Sequence, residues 1–189
     1  EGLGNQFLSH IRDVNAVIHI LRLFKDKNVT HVKNNIDPIR DINIVETELL
    51  LRDISSIANR MDKLHKTARL GNIKSKEELS VLDNILPKMK KGVMMKDIQL
   101  DPDKQKLLHH LLLLTNKPIL YVANVDETEI TIDKRSITIQ TLFNYAEKKG
   151  NIVIQLCGNL EAEISTLHDE EKPLFLEEYD LSESGLNKL

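Results

Sequence analysis

The stretch that most constrains the fold is Lys117-Pro118-Ile119-Leu120-Tyr121-Val122-Ala123-Asn124-Val125-Asp126-Glu127. Ile119 to Ala123 is an unbroken apolar run, the pattern of a parallel strand covered on both faces. Pro118 suits the first position of such a strand, where a missing N–H breaks no ladder bond. In open α/β sheets ligands bind beyond the carboxyl ends of the strands. Asn124 and Glu127 fall at that end, so the run predicts both a buried strand and a polar loop placed to bind.

Two further apolar runs read as strands, Ala16 to Phe24 and Asn151 to Leu156. A polar segment with Phe7, Leu8 and Ile11 at helical spacing predicts a short helix over 5–12. Lys25 to Asn35 reads as a loop. Asp37-Pro38 is a helix start, with a side-chain acceptor at the N-cap and proline at the first helical position. No Pro or Gly follows until Gly71. Along that stretch Leu50, Ile54, Ile57, Met61, Leu64 and Ala68 step by fours and threes, a heptad seam. Gly71-Asn72 breaks the helix, and Ser75-Lys-Glu-Glu78 reads as a capping box opening a second one. The second seam is Leu79, Leu82, Leu86 and Met89, with Pro87 expected to kink the arm or mark where it bends back. Two such helices joined by a few residues make an antiparallel hairpin.

Asp101-Pro102 repeats the helix-start signal and predicts a helix over 104–115. An amphipathic helix over 137–149 closes at Gly150, a further one is expected at 160–167, and 169–181 reads as helical and acidic. Strands separated by helices imply right-handed crossovers in a parallel sheet. The expected class is therefore α/β, with the hairpin inserted after the first strand. Residues 37–99 are read as the insertion; 1–36 and 100–189 are read as the α/β domain.

The composition narrows the function. Among 189 residues there are seven aromatics, so the core must be aliphatic. The formal charge of −3 gives no global pull toward nucleic acid and argues against sequence-specific DNA binding. A single cysteine excludes an internal disulfide and suits a reducing cytoplasm. No apolar run approaches the roughly 20 residues of a membrane span, so no membrane partner is expected.

The spacing Asn124-x-x-Glu127 resembles the base-reading Asn-Lys-x-Asp motif of P-loop GTPases, altered as in the YchF, or Obg-like, ATPases. Three more stretches carry the likeness. Glu1 to Leu8 resembles the segment just after that family's second phosphate-side motif. Asp37-Pro38 through Glu48-Leu49 resembles the start of its inserted coiled coil. Ser184-Gly-Leu-Asn187 resembles the link to its C-terminal TGS domain. The likeness spans nearly all 189 residues.

What the resemblance implies is a P-loop NTPase core that binds and hydrolyses ATP, and more weakly GTP, with Mg²⁺. It also implies association with the ribosome or its large subunit, and a cytoplasmic location. Its base-side residues map onto Asn124, Val125 and Glu127 after one strand, and Cys157 and Gly158 after another. A switch role is implied for Asn5 and Gln6. The phosphate-cradling sequence Gly-x-x-x-x-Gly-Lys-Ser/Thr is absent from the 189 residues. The chain is accordingly expected to be a fragment without the Walker A segment and TGS domain. Catalytic and metal-ligating residues are not assigned, and Mg²⁺ would be held by residues not in this chain.

Each motif also has a plainer reading. Asn124 to Glu127 is an ordinary polar turn after a strand. Cys157-Gly158 is a βα turn with a small buried hydrophobe, and His109-His110 is a core or surface pair in a leucine-rich helix. Arg60, Lys63, Lys66, Arg69, Lys74 and Lys76 are either the solvated face of a coiled coil or a surface for RNA phosphates. The last possibility carries an alternative function: a coiled-coil interaction module docking to a ribosomal or protein partner, with nucleotide acting only as a switch.

Overall fold

A computed structural model describes residues 11–25, 36–130 and 135–189. The expected helix over 5–12, most of the loop after Lys25 and the implied switch residues Asn5 and Gln6 fall wholly or largely outside them. The described elements are β1 (Val17–Arg22), α1 (Pro38–Arg69), α2 (Ile73–Lys90), α3 (Pro102–Leu108), β2 (Ile119–Asn124), α4 (Ile137–Lys148), β3 (Ile152–Leu156), α5 (Gly158–Thr166) and α6 (Lys172–Glu178). The described residues form two compact units: 11–15 with 43–118, and 16–25 and 36–42 with 119–130 and 135–189. None of the described helices is long and apolar enough to cross a membrane.

The second of these units is the α/β one. Its three described strands are parallel, in the order β1-β2-β3, with Val17 opposite Ile119 and Leu120 opposite Ile152. Tyr121 and Ala123 of β2 enter a core with Leu21, Ile42, Ile139, Leu142, Ala146 and Leu160. β1 is less covered than its apolar sequence implies: Ile18 and Ile20 are exposed. Its alternate residues face opposite sides, and only one side is packed by the described residues.

The first unit is helical. α1 contributes its residues from 43 on; its start falls within 16–42, where Asp37 Oδ1 accepts from Arg40 N at 3.0 Å, so the Asp-Pro pair caps α1 as its sequence predicts. Leu50, Ile57 and Leu64 of α1 pack with Leu82, Ile85 and Met89 of α2, along with Met95, Ile98, Leu108 and Leu113. The two heptad seams therefore meet, and segments beyond the hairpin complete their core. Gly71 turns the chain at φ +91°. α2 starts earlier than the capping box implies: Asn72 is its N-cap, accepting from Ser75 N at 2.9 Å. Ser75 is instead buried in the first turn, where its Oγ accepts from the Thr67 hydroxyl at 2.8 Å. Glu78 is taken up by Arg60, whose Nε and Nη2 donate to its two oxygens at 2.7 Å each. α2 continues through Pro87 to Lys90.

The helix expected over 104–115 is shorter. α3 ends at Leu108, a 3₁₀ turn covers His109–Leu111, and Leu112 adopts a left-handed conformation at φ +47°. A side chain in that region costs roughly 1–2 kcal/mol, so something must hold it. Asp53, 1% exposed on α1, accepts from Leu114 N at 2.9 Å, Thr115 N at 2.8 Å and the Thr115 hydroxyl at 2.7 Å. Thr115 Oγ1 in turn accepts from Met95 N at 3.2 Å. Three donors on one carboxylate hold the broken segment against α1.

Two outcomes follow from these contacts. Asp53→Asn keeps the shape but sets an amide NH₂ against backbone N–H groups, so it should cost about 2–4 kcal/mol, read as a lower urea midpoint at unchanged m-value. Burial lowers the pKa of half-buried His19 from 6.5, with Asp41 pulling the other way. The folded state thus binds fewer protons than the unfolded one, and stability should fall as pH drops below 6.5. His19→Gln should flatten that part of a melting-temperature profile; an identical slope would remove the assignment.

Candidate functional site

Parallel pairing brings the carboxyl ends of all three strands to one edge. Arg22, Asn124 and Leu156 stand opposite one another there. The ladder runs one residue further: Leu23 N donates to Asn124 O at 2.8 Å, and Val125 N donates to Leu156 O at 2.9 Å. The Asn124 side chain then crosses to the next loop, where its Oδ1 accepts from Gly158 N at 3.0 Å. A Cβ at position 158 would lie 3.4 Å from both Asn124 Oδ1 and Nδ2, in ordinary contact with the amide. Two stretches 34 residues apart in sequence are thereby tied into one loop cluster.

The five residues implied by the resemblance are brought to this edge, but in unlike roles. Glu127 is exposed at the start of the 3₁₀ turn Glu127–Glu129. Gly158 is exposed and opens α5, whose first-turn N–H groups are unsatisfied by the helix itself. Cys157 is a buried free thiol in the core, in keeping with its plainer reading. Val125 is 2% exposed and belongs to the same core. The Val125 side chain therefore offers no face to a ring; its own N–H continues the ladder to Leu156.

Two neighbours carry no sequence signal of their own. Tyr179 packs with Phe175, ring centroids 5.2 Å apart, against the core that holds Val125 and Cys157. Its phenol is pushed above the usual range by loss of solvent first, then by the carboxylates of Glu127, Glu163 and Glu178. Glu161, buried in the first turn of α5, accepts from Gly185 N at 2.6 Å and Leu186 N at 3.3 Å. A Cβ at Gly185 would sit 2.5 Å from Leu156 Cβ, so only glycine fits. The Ser184–Asn187 turn thus seats directly behind the Leu156–Gly158 loop. The Glu161 contact spans 24 residues, beyond the reach of local sequence patterns.

Comparison with known proteins places this arrangement. No family model matches the chain. A solved structure described as the Schizosaccharomyces pombe YchF GTPase matches with a TM-score of 0.86 at 26% identity, over 99% of this chain and 51% of that one. The α/β unit thus has the fold of a P-loop nucleoside triphosphatase. The chain is 39% identical over 189 residues to the ribosome-binding ATPase YchF of Bacillus subtilis, covering 100% of this chain and 52% of that one. The same protein of Buchnera aphidicola from Acyrthosiphon pisum is 38% identical over 190 residues. The chain is similar to these YchF proteins along its whole length, and it spans about half the length of the curated relatives it matches.

The Asn124 tie is measurable by itself. Asn124→Ala should cost about 1 kcal/mol and raise hydrogen exchange at the Gly158 amide roughly fivefold. Unchanged exchange would mean that the amide is held by something else.

Proposed function

We propose that this chain supplies the base-recognising half of the nucleotide site of a YchF-type ATPase that works on the ribosome, in the cytoplasm. The observation that carries the reading is the placement of Asn124 and Glu127 at the carboxyl end of the central parallel strand, tied to the first amide of α5. With Oδ1 occupied by Gly158 N, the Asn124 Nδ2 is the group turned to donate, and it suits the ring acceptor N7 that both purines share. Discrimination then rests on Glu127. An aspartate at this place accepts from guanine N1–H and its 2-amino group, neither of which adenine has. The longer glutamate moves the carboxylate by a methylene and spoils that pairing, and sites built on buried hydrogen bonds discriminate steeply when one is lost. The names of the relatives, which print both ATPase and ribosome binding, support the same reading.

The residues present suit a base and not a triphosphate. The 189 residues contain no phosphate-loop sequence, and the described residues hold no cluster of three metal-binding side chains. The reaction implied is transfer of the γ-phosphoryl group to water with Mg²⁺. Within it this chain's residues bind and orient the base, and no catalytic residue is assigned among them.

The test is a titration with ATP and GTP of a protein carrying both halves of the site. Glu127→Asp should narrow the preference for ATP by about tenfold or more. Val125 is left alone, because a lysine there would be driven into the core. An unchanged ATP:GTP ratio would overturn the account of base selection.

A further inference from the structure

The α1–α2 hairpin tip carries a feature that packing does not explain. Its seam is already closed: Ala68 is buried, Thr67 donates to Ser75, and Asn72 caps α2. Outside that closure, on either side of Gly71-Asn72, stand Leu70 at 87% and Ile73 at 70% exposure. Around them Lys63, Lys66, Arg69, Lys74 and Lys76 are all exposed. Within 62–77 these five cations meet only two carboxylates, Asp62 and Glu77, in a chain whose net charge is −3. Arg60, by contrast, is committed to Glu78 and drops out of the basic face.

The helix dipole accounts for part of this charge and not the rest. Lys66 and Arg69 lie in the last turn of α1, where cations are favoured. Lys74 and Lys76 lie in the first turn of α2, which has no acidic residue. Cations there oppose the dipole. Such a placement is stabilised when an anion approaches the tip. The apolar pair at the centre of the ring has the chemistry of a wedge, since leucine and isoleucine insert between base steps where phosphate contacts surround them.

We propose that the hairpin tip docks on ribosomal RNA, with Lys66, Arg69, Lys74 and Lys76 on phosphates and Leu70 and Ile73 against unstacked bases. The assignment rests on the ribosome-directed part of the function proposed above, and charge complementarity selects RNA over protein.

The experiment measures binding of the chain to bacterial 70S ribosomes and to protein-free ribosomal RNA, each over a range of salt. Wild type should bind both. The combined variant Lys66→Ala, Arg69→Ala, Lys74→Ala, Lys76→Ala should weaken RNA binding and flatten the log–log salt slope by about 3. Leu70→Ser with Ile73→Ser should weaken it about fivefold without changing that slope, because no phosphate contact is lost. All six side chains are exposed, so melting temperatures should stay at the wild-type value. Wild-type affinity and slope in the quadruple variant would overturn the proposal. Binding of wild type to 70S particles but not to protein-free RNA would also overturn it, in favour of a ribosomal protein. Nucleotide titration of the same variants separates this outcome from failure of the base-site reading, since the tip carries none of its residues.

Discussion

Everything at the candidate site depends on β2 being paired in parallel on both sides. Antiparallel neighbours would send their ends to opposite edges; parallel pairing collects Arg22, Asn124 and Leu156 at one. Asn124 then makes three ties from one residue or its immediate neighbour: its carbonyl to Leu23, the next amide to Leu156, and its side chain to Gly158. A slip of one residue in β2 would turn Tyr121 out of the core and part Asn124 from Gly158 together. Fold and site therefore share one register. Parallel strands also require crossovers, and the one between β1 and β2 is long enough to contain α1, α2 and α3.

Two buried carboxylates hold irregular chain in place, and a third ties the two arms of the hairpin together. Asp53 takes the amides of Leu114 and Thr115, Glu161 takes those of Gly185 and Leu186, and Glu78 takes both arms of the Arg60 guanidinium. His110 Nε2 stands 3.2 Å from Glu78 as well. A carboxylate has about four lone-pair sites and suits backbone N–H groups that no ladder satisfies. Asp53 and Glu161 each fix a segment that propensity alone would leave loose. The strained Leu112 is the clearest case: its left-handed backbone lets the next residues present their amides to Asp53.

That pattern explains what was legible in the sequence and what was not. Apolar periodicity and local caps are short-range, so the strands, the two Asp-Pro helix starts and both heptad seams are visible in the residues themselves. Gly71 and Gly150 end their helices at positive φ, as their places in the sequence imply. The failures have long-range causes. Ser75 looks like a cap until Thr67 claims it, and Asn72 caps instead. The 104–115 helix breaks because Asp53, some sixty residues earlier, competes for its amides. Arg60 reads as surface charge because its partner Glu78 is on the other arm. At the site, residue types and spacing point to Asn124, Glu127 and Gly158, but the inward packing of Val125 is a matter of tertiary structure.

The loop after β3 is held from two sides, and this bears on how a base could be recognised there. In front, Gly158 lies beside Asn124 and donates to it; behind, Gly185 lies against Leu156 and donates to Glu161. The approach of Gly185 needs a missing Cβ, and both contacts act on the same stretch from Leu156 to Glu161. Selecting between two purines by a single carboxylate requires that the backbone carrying its partner groups not shift to accommodate either one. A clamped loop meets that requirement, because ordering costs are met in folding rather than in binding. Exposed Glu127, on the short turn beyond the clamp, is then the adjustable member of a site whose other parts are fixed. Under the base-side reading proposed above, its length, one methylene more than aspartate, would be the variable on which base preference turns.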